Sequence, residues 1–131
     1  ARFLTGQTKS ALGDRDAAIR EWRAALALQP NHTKLMAALA VEYAKGGYYR
    51  DAAAVAKRAL ALKPEDANFH FLAIKACQDA QDAEGPALAA RAVEKFPASA
   101  RANFEHAWFL QRAGKSAESV VYLKKATLAV A

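Results

Sequence analysis

The sequence predicts an all-α chain built from repeated helix pairs, and three observations carry that expectation. The ending Ala25-Leu26-Ala27-Leu28-Gln29-Pro30 returns as Ala59-Leu60-Ala61-Leu62-Lys63-Pro64. A third ending, Ala92-Val93-Glu94-Lys95-Phe96-Pro97, follows at an interval one residue shorter, and a fourth, Ala126-Thr127-Leu128-Ala129-Val130-Ala131, at the full interval again. Between these endings apolar residues recur at steps of three and four, almost no segment alternates, and glycine and proline fall where turns are needed. Fixed self-similarity at a period of about 34 residues marks a repeat array. Its four units are 1–32, 33–66, 67–99 and 100–131, in one domain.

Composition narrows the class further. With 53% hydrophobic and 24% charged residues the chain can bury a core, which a disordered chain cannot. No apolar run approaches the roughly 20 residues that span a bilayer. The single Cys77 excludes an internal disulfide framework and fits a reducing or an oxidising compartment. Opening at Ala1 inside a helical pattern, the chain is expected to be one segment of a longer protein.

Each unit is expected to hold two helices. In the first, residues 1–12 form a helix closed by Gly13, Asp14 caps the next, and residues 16–28 put Ala18, Trp22 and Ala25 on one face before Pro30. In the second, residues 33–45 carry Met36, Leu39, Ala40 and Tyr43 on one stripe, Gly46-Gly47 turns the chain, and residues 50–62 present Ala52, Ala56 and Ala59. The third unit places His70, Ala73, Ile74 and Cys77 in the slots of that stripe. Its turn departs from the pattern: Asp82-Ala83-Glu84-Gly85-Pro86 stands in place of the glycine hinge and is one residue short, with Pro86 in the first turn of a helix. A change of geometry is expected there. The fourth unit resumes with Ser99 as cap, then Asn103, His106, Ala107 and Leu110, Gly114 at the turn, and Ser119, Leu123 and Ala126.

The order Met36-x2-Leu39-Ala40-x2-Tyr43, Ala52-x3-Ala56-x2-Ala59, Pro64 resembles the tetratricopeptide repeat, whose pattern is Trp-x2-Leu-Gly-x2-Tyr, Ala-x3-Phe and a closing Pro. The resemblance runs through nearly the whole chain. It implies an α-solenoid of antiparallel helix pairs in a right-handed superhelix, with first helices lining a concave groove. Members of the family chiefly act as scaffolds that bind peptides or partner proteins. Some co-chaperones among them grip a C-terminal carboxylate with Lys and Asn residues. The matching places here hold Phe3, Gln7, Ala38, Asn68 and Leu72, so no such clamp is expected.

On that implied frame, helical geometry assigns the groove-facing residues as Phe3 and Gln7, Lys34 and Val41, Asn68, Phe71, Lys75 and Gln78, then Arg101, Phe104, Trp108 and Arg112. Lys75, Arg101 and Arg112 beside Phe71, Phe104 and Trp108 suit an acidic or carboxylate-bearing peptide with an apolar anchor. The alternative is that these rings pack between helices and the cations are solvated.

Formal net charge +6 raises a second class, a binder of nucleic acid or another polyanion. Arg23, Lys57, Arg58, Arg91, Lys124 and Lys125 occupy equivalent outward places in the second helices and would form a convex ridge. No aromatic platform interleaves them as single-strand binding needs, so nucleic acid is not the expected partner. For an enzyme the sequence offers little: no Gly-rich phosphate loop, no His-Glu-x-x-His and no second Cys. His32 is expected at a helix start, His70 and His106 in packing slots, and Cys77 as an inert buried thiol. Asp79, Asp82 and Glu84 lack the alternating spacing of a calcium loop. No catalytic, cofactor or metal site is expected. A substrate-positioning segment of a larger enzyme is the remaining alternative.

The last helix carries a feature the others lack. Places held by Arg20 and Ala27, Ala54 and Ala61, and Ala87 and Glu94 hold Val121 and Leu128 there, two turns apart on one side. Leaving such side chains in water costs about 1.5–3 kcal/mol each relative to burial. A further helix, or self-association through the last helix pair, is therefore expected.

Overall fold

In the computed structural model the described residues, 14–130, form seven α-helices and no strand. They are α1 (Arg15–Leu28), α2 (Thr33–Lys45), α3 (Tyr49–Leu62), α4 (Ala67–Ala80), α5 (Gly85–Lys95), α6 (Ala100–Arg112) and α7 (Ser116–Val130). The helix expected at 1–12, with Phe3, Gln7 and Gly13, lies outside the described residues.

The starts of α1, α2, α4 and α6 are written in side chains, while α3 and α5 begin without a side-chain cap. Asp14 accepts the Ala17 amide at 3.1 Å, and Ser99 Oγ accepts the Ala102 amide at 3.2 Å. Asp66 accepts the Asn68 amide at 2.9 Å. His32 caps α2 through Nδ1, which accepts from Leu35 at 3.1 Å. Each satisfies an amide that the first turn of a helix leaves without a partner.

The ends of α1, α3 and α5 repeat one another closely. Gln29, Lys63 and Phe96 each donate a last amide to the carbonyl four residues back, and their φ, ψ angles are −132°, 75°; −130°, 64°; and −129°, 64°. The residue before a proline is pushed out of the helical region, so the three prolines stop three helices in one conformation.

Every helix packs on its neighbours in sequence, and α2 also touches α4. One continuous core results, running from Ala18 through Trp22, Leu35, Met36, Leu39 and Ile74 to Ala102. Alanines at 52, 53, 56, 59, 73, 89 and 92 are buried and let backbones approach, so the larger side chains need fill only the remaining gap.

Two polar residues sit inside this core with a shared task. His70 Nε2 donates to the Pro64 carbonyl at 2.7 Å, and Asn103 Nδ2 to the Pro97 carbonyl at 3.0 Å, each six residues along from its proline. The His70 ring also meets Phe96 edge-on at 5.3 Å. The same slot in the second unit holds Met36, so a thioether in one unit gives way to a hydrogen-bonding side chain in the next two.

The irregular turn of the third unit differs from expectation in an instructive way. The hinge is retained, with Gln81 in the glycine's place. Gly47, Gln81 and Gly114 have φ of 82°, 54° and 78°. In each case the next amide reaches back to close the helix: Tyr48 to Tyr43 at 2.8 Å, Asp82 to Cys77 at 2.9 Å, Lys115 to Leu110 at 2.8 Å. The missing residue is taken instead from α5, which spans 11 residues against 14 for α3 and 15 for α7. Pro86 stands in its first turn, as expected.

Candidate partner-binding face and cleft

Helices α4 and α6 share a face joined by side chains. The Arg101 guanidinium lies over the Phe71 ring, 4.8 Å from its centroid, and Gln78 donates to the Glu105 carboxylate. Further along α6, Arg112 lies 4.4 Å over the Trp108 ring. Both pairs hold a cation on an aromatic surface. Neither arginine forms an ion pair among the described residues. Lys75 is exposed and reaches Asp79 on its own helix at 3.1 Å, while Phe104 is 50% exposed. Asn68 and Lys34 are exposed at the starts of α4 and α2, and Val41 is exposed on α2. Of the expected set, Asn68, Phe71, Lys75, Gln78, Arg101, Phe104, Trp108 and Arg112 thus lie on two adjoining helices, and no hydrogen bond or ion pair ties Lys34 to them.

Where α5 starts late, a cleft of about 350 Å³ opens between the end of α4, the 82–86 segment and the last turn of α6. Trp108 and Phe109 form a corner of two rings, 4.9 Å between centroids and 87° apart. The Phe109 ring reaches its place only because residue 85 is glycine: a Cβ there would lie 2.8 Å from its Cζ. Beneath lies Cys77, fully buried, its thiol pushed up to about 11 by burial and by the nearby Asp82 carboxylate. It is therefore no thiolate nucleophile near neutral pH.

The 82–86 segment is locked from α3. Lys57 donates to Asp82 at 2.8 Å and lies 3.6 Å from Glu84, and Asp82 also accepts the Glu84 amide at 2.9 Å. The Lys57 hydrogen bond holds the Asp82 carboxyl below the usual carboxylate range. Lys57 is thus engaged within the fold, and Arg58 donates to the Pro30 carbonyl at 3.2 Å. Two cations of the expected convex ridge are tied down.

His106 meets Tyr122 of α7 edge-on at 4.4 Å, and burial lowers its pKa below the ordinary value. It packs as a neutral ring.

On α7, Val121 and Leu128 are 50% and 75% exposed. Their equivalents Arg20, Ala27, Ala54, Ala61, Ala87 and Glu94 are all exposed although further helices follow them. What a following helix covers elsewhere is the neighbouring stripe: Ile19, Trp22 and Leu26 on α1, and Ala53, Ala56 and Leu60 on α3, all buried. On α7 those places hold Val120, Leu123 and Thr127, which with Lys124 and Leu128 line a shallow depression of about 380 Å³.

Sequence reasoning passed over Gln81, Phe109 and Glu105, and read Gly85 only as part of the irregular turn. Gln81 was within reach, standing one repeat after Gly47 and one before Gly114. So was Phe109, whose ring replaces Ala76 of the preceding unit.

Neither a protein-family model nor any curated protein sequence matches the chain. Solved structures of MamA do. The structure titled MamA 41-end from Desulfovibrio magneticus RS-1 superposes with a TM-score of 0.82 at 21% identity, covering 98% of this chain and 73% of that one. An ArsTM double mutant of MamA RS-1 gives 0.84 at 20%, covering 98% and 72%. MamA MSR-1 gives 0.82 at 18%, covering 98% and 74%. At such identities the likeness is one of fold, and it extends over nearly the whole chain. The chain carries the helical-repeat fold that its resemblance to the tetratricopeptide repeat implies.

Proposed function

We propose that this protein is a non-enzymatic interaction module that docks an acidic peptide segment of a partner protein on the groove side of α4 and α6. The observation that carries the reading is the pair of arginines stacked on rings. Arg101 on Phe71 and Arg112 on Trp108 offer guanidinium donors held in place by aromatic surface and not spent on carboxylates of the described residues. A cation so fixed loses little conformational freedom on binding, and the rings add apolar area beside it. Lys75 and exposed Phe104 extend the same surface, and Lys34 and Asn68 continue it toward the earlier units. The helical-repeat fold, which elsewhere presents such surfaces to partners, supports the reading. Affinity capture with the wild type and with a Lys75→Ala, Arg101→Ala, Trp108→Ala triple variant tests it. Proteins retained by the wild type should be lost from the variant, and an identical set from both overturns the reading.

Self-association through the last helix pair is a second reading, favoured by the open apolar stripe on α7. Internal repeats cover the equivalents of Val120, Leu123 and Thr127 with a helix, so a second copy or a further helix fits there, with Leu128 at its edge and Val121 beyond. Light scattering across a dilution series should show mass rising with concentration, and Leu123→Lys or Leu128→Lys should abolish the rise. A monomer at every concentration overturns self-association.

A further inference from the structure

We propose that the cleft left by the shortened α5 is the anchor pocket of this face, taking one bulky apolar side chain of the docked peptide while Arg112 holds a carboxylate next to it. The inference rests on the acidic-peptide reading above and names what that peptide must carry.

Three observations point to this occupant. First, the cleft is chemically unlike its counterpart one repeat earlier. Beside the Gly47 hinge the equivalent hollow is lined by two tyrosines, Tyr48 and Tyr49, and by the charged Arg50, Asp51 and Asp79. At the third unit Cys77 stands where Tyr43 stood and Asp82 where Tyr48 stood. Two rings are thereby withdrawn, and the first turn of α5 is withdrawn with them. The walls that remain are Trp108, Phe109, Pro86, Ala83 and Ala113.

Second, the charged groups at the cleft are accounted for save one, and the polar Gln81 is exposed at its edge. Asp82 is held by Lys57, and Gln78 by Glu105. Arg112 is stacked on Trp108 at the rim with no carboxylate partner among the described residues. An apolar floor with one fixed cation at its mouth selects a ligand that is apolar at one end and anionic beside it.

Third, size and continuity favour a peptide. A volume of about 350 Å³ lies at the low end of the roughly 300–1,000 Å³ of small-molecule sites, room for one large side chain. Trp108 and Arg112 belong at once to the cleft and to the face that carries Arg101 and Lys75, so a chain lying on that face passes over the opening.

The probes are two synthetic labelled peptides, acetyl-Glu-Asp-Glu-Phe-Glu-Asp-Glu-amide and the same peptide with Ala for Phe, measured by fluorescence anisotropy. The Phe peptide should bind about 10- to 100-fold tighter, the ratio expected for burying one large apolar side chain. Ala83→Trp and Ala113→Phe fill the cleft from its two exposed sides. Each should bring the Phe peptide down to the affinity of the Ala peptide and leave the latter unchanged, with unaltered helical circular dichroism. Arg112→Glu should weaken both peptides. If both bind the wild type equally and Lys75→Glu or Arg101→Glu weakens both, the cleft proposal fails while the docking face stands. If neither binds, both readings are overturned.

Discussion

The hinge between α2 and α3 and the hinge between α4 and α5 follow one backbone path with different residues. Gly47 takes the left-handed conformation at no steric cost, and Tyr43 and Tyr48, 6.2 Å apart and nearly perpendicular, stand beside it. Gln81 takes the same conformation with a side chain, at a cost of order 1–2 kcal/mol, and Cys77 and Asp82 stand in the places of the two tyrosines. Backbone hydrogen bonds to the preceding helix impose the turn in both. The contrast teaches that conformation here is set by the closing of a helix and by the stacking of the next one. The residue at the hinge decides only how much strain is stored and what opening is left above it. In this molecule the strained hinge is the one beside the aromatic cleft.

The comparison can be broken most strongly at Gly85. Gly85→Val places its Cβ within 3 Å of the Phe109 ring, and overpacking of this kind costs about 1–3 kcal/mol. Urea unfolding should show that loss together with weaker binding of the Phe peptide, because the displaced ring turns into the cleft. Unchanged stability would mean that Phe109 moves freely and that Gly85 is not what seats it.

A smaller pair of changes sharpens the comparison. Gly47→Ala, with no atom within 4 Å of the new Cβ, should destabilise by about 1–2 kcal/mol through the backbone alone. Gln81→Gly should do the reverse by about 1 kcal/mol or less, relieving the left-handed side chain against the greater freedom of an unfolded glycine. If Gln81→Gly proves destabilising, the Gln81 side chain contributes more than its conformation costs, and the parallel between the two hinges is incomplete.

The helices were legible because their signals are local. Asp14, His32 and Ser99 announce their helices within three residues, and the three prolines end theirs in one conformation. α2 spans the expected 33–45, while α1 and α3 each begin one residue before the expected start. The regular spacing of Pro30, Pro64 and Pro97 also carried the pairing of units. The expected face residues on α4 and α6 do lie on adjoining helices, but their partners were not readable. Lys57 meets Asp82 across 25 residues of chain, and Gln78 meets Glu105 across 27. Such pairs depend on how far one helix is turned against the next, which no local pattern encodes, and so Lys57 looked like an open cation. The deletion was visible as a shorter period, but it could be absorbed in the turn or in the helix. The backbone bonds that keep the hinge decided for the helix.

The packing of each helix on its sequence neighbours has a consequence for how signals travel. Apart from the contact of α2 with α4 and the side-chain bridges from α4 to α6, a disturbance passes along the described helices mainly in series, from one helix to the next. Each interface between pairs is a separate cooperative step, so strain at Gln81 falls on the α4–α5 junction and its immediate neighbours. An event at the cleft reaches α1 chiefly through α2, which packs on both α1 and α4. The array is built as a ruler that holds surfaces at fixed intervals, and what is felt at one mark is damped before the next.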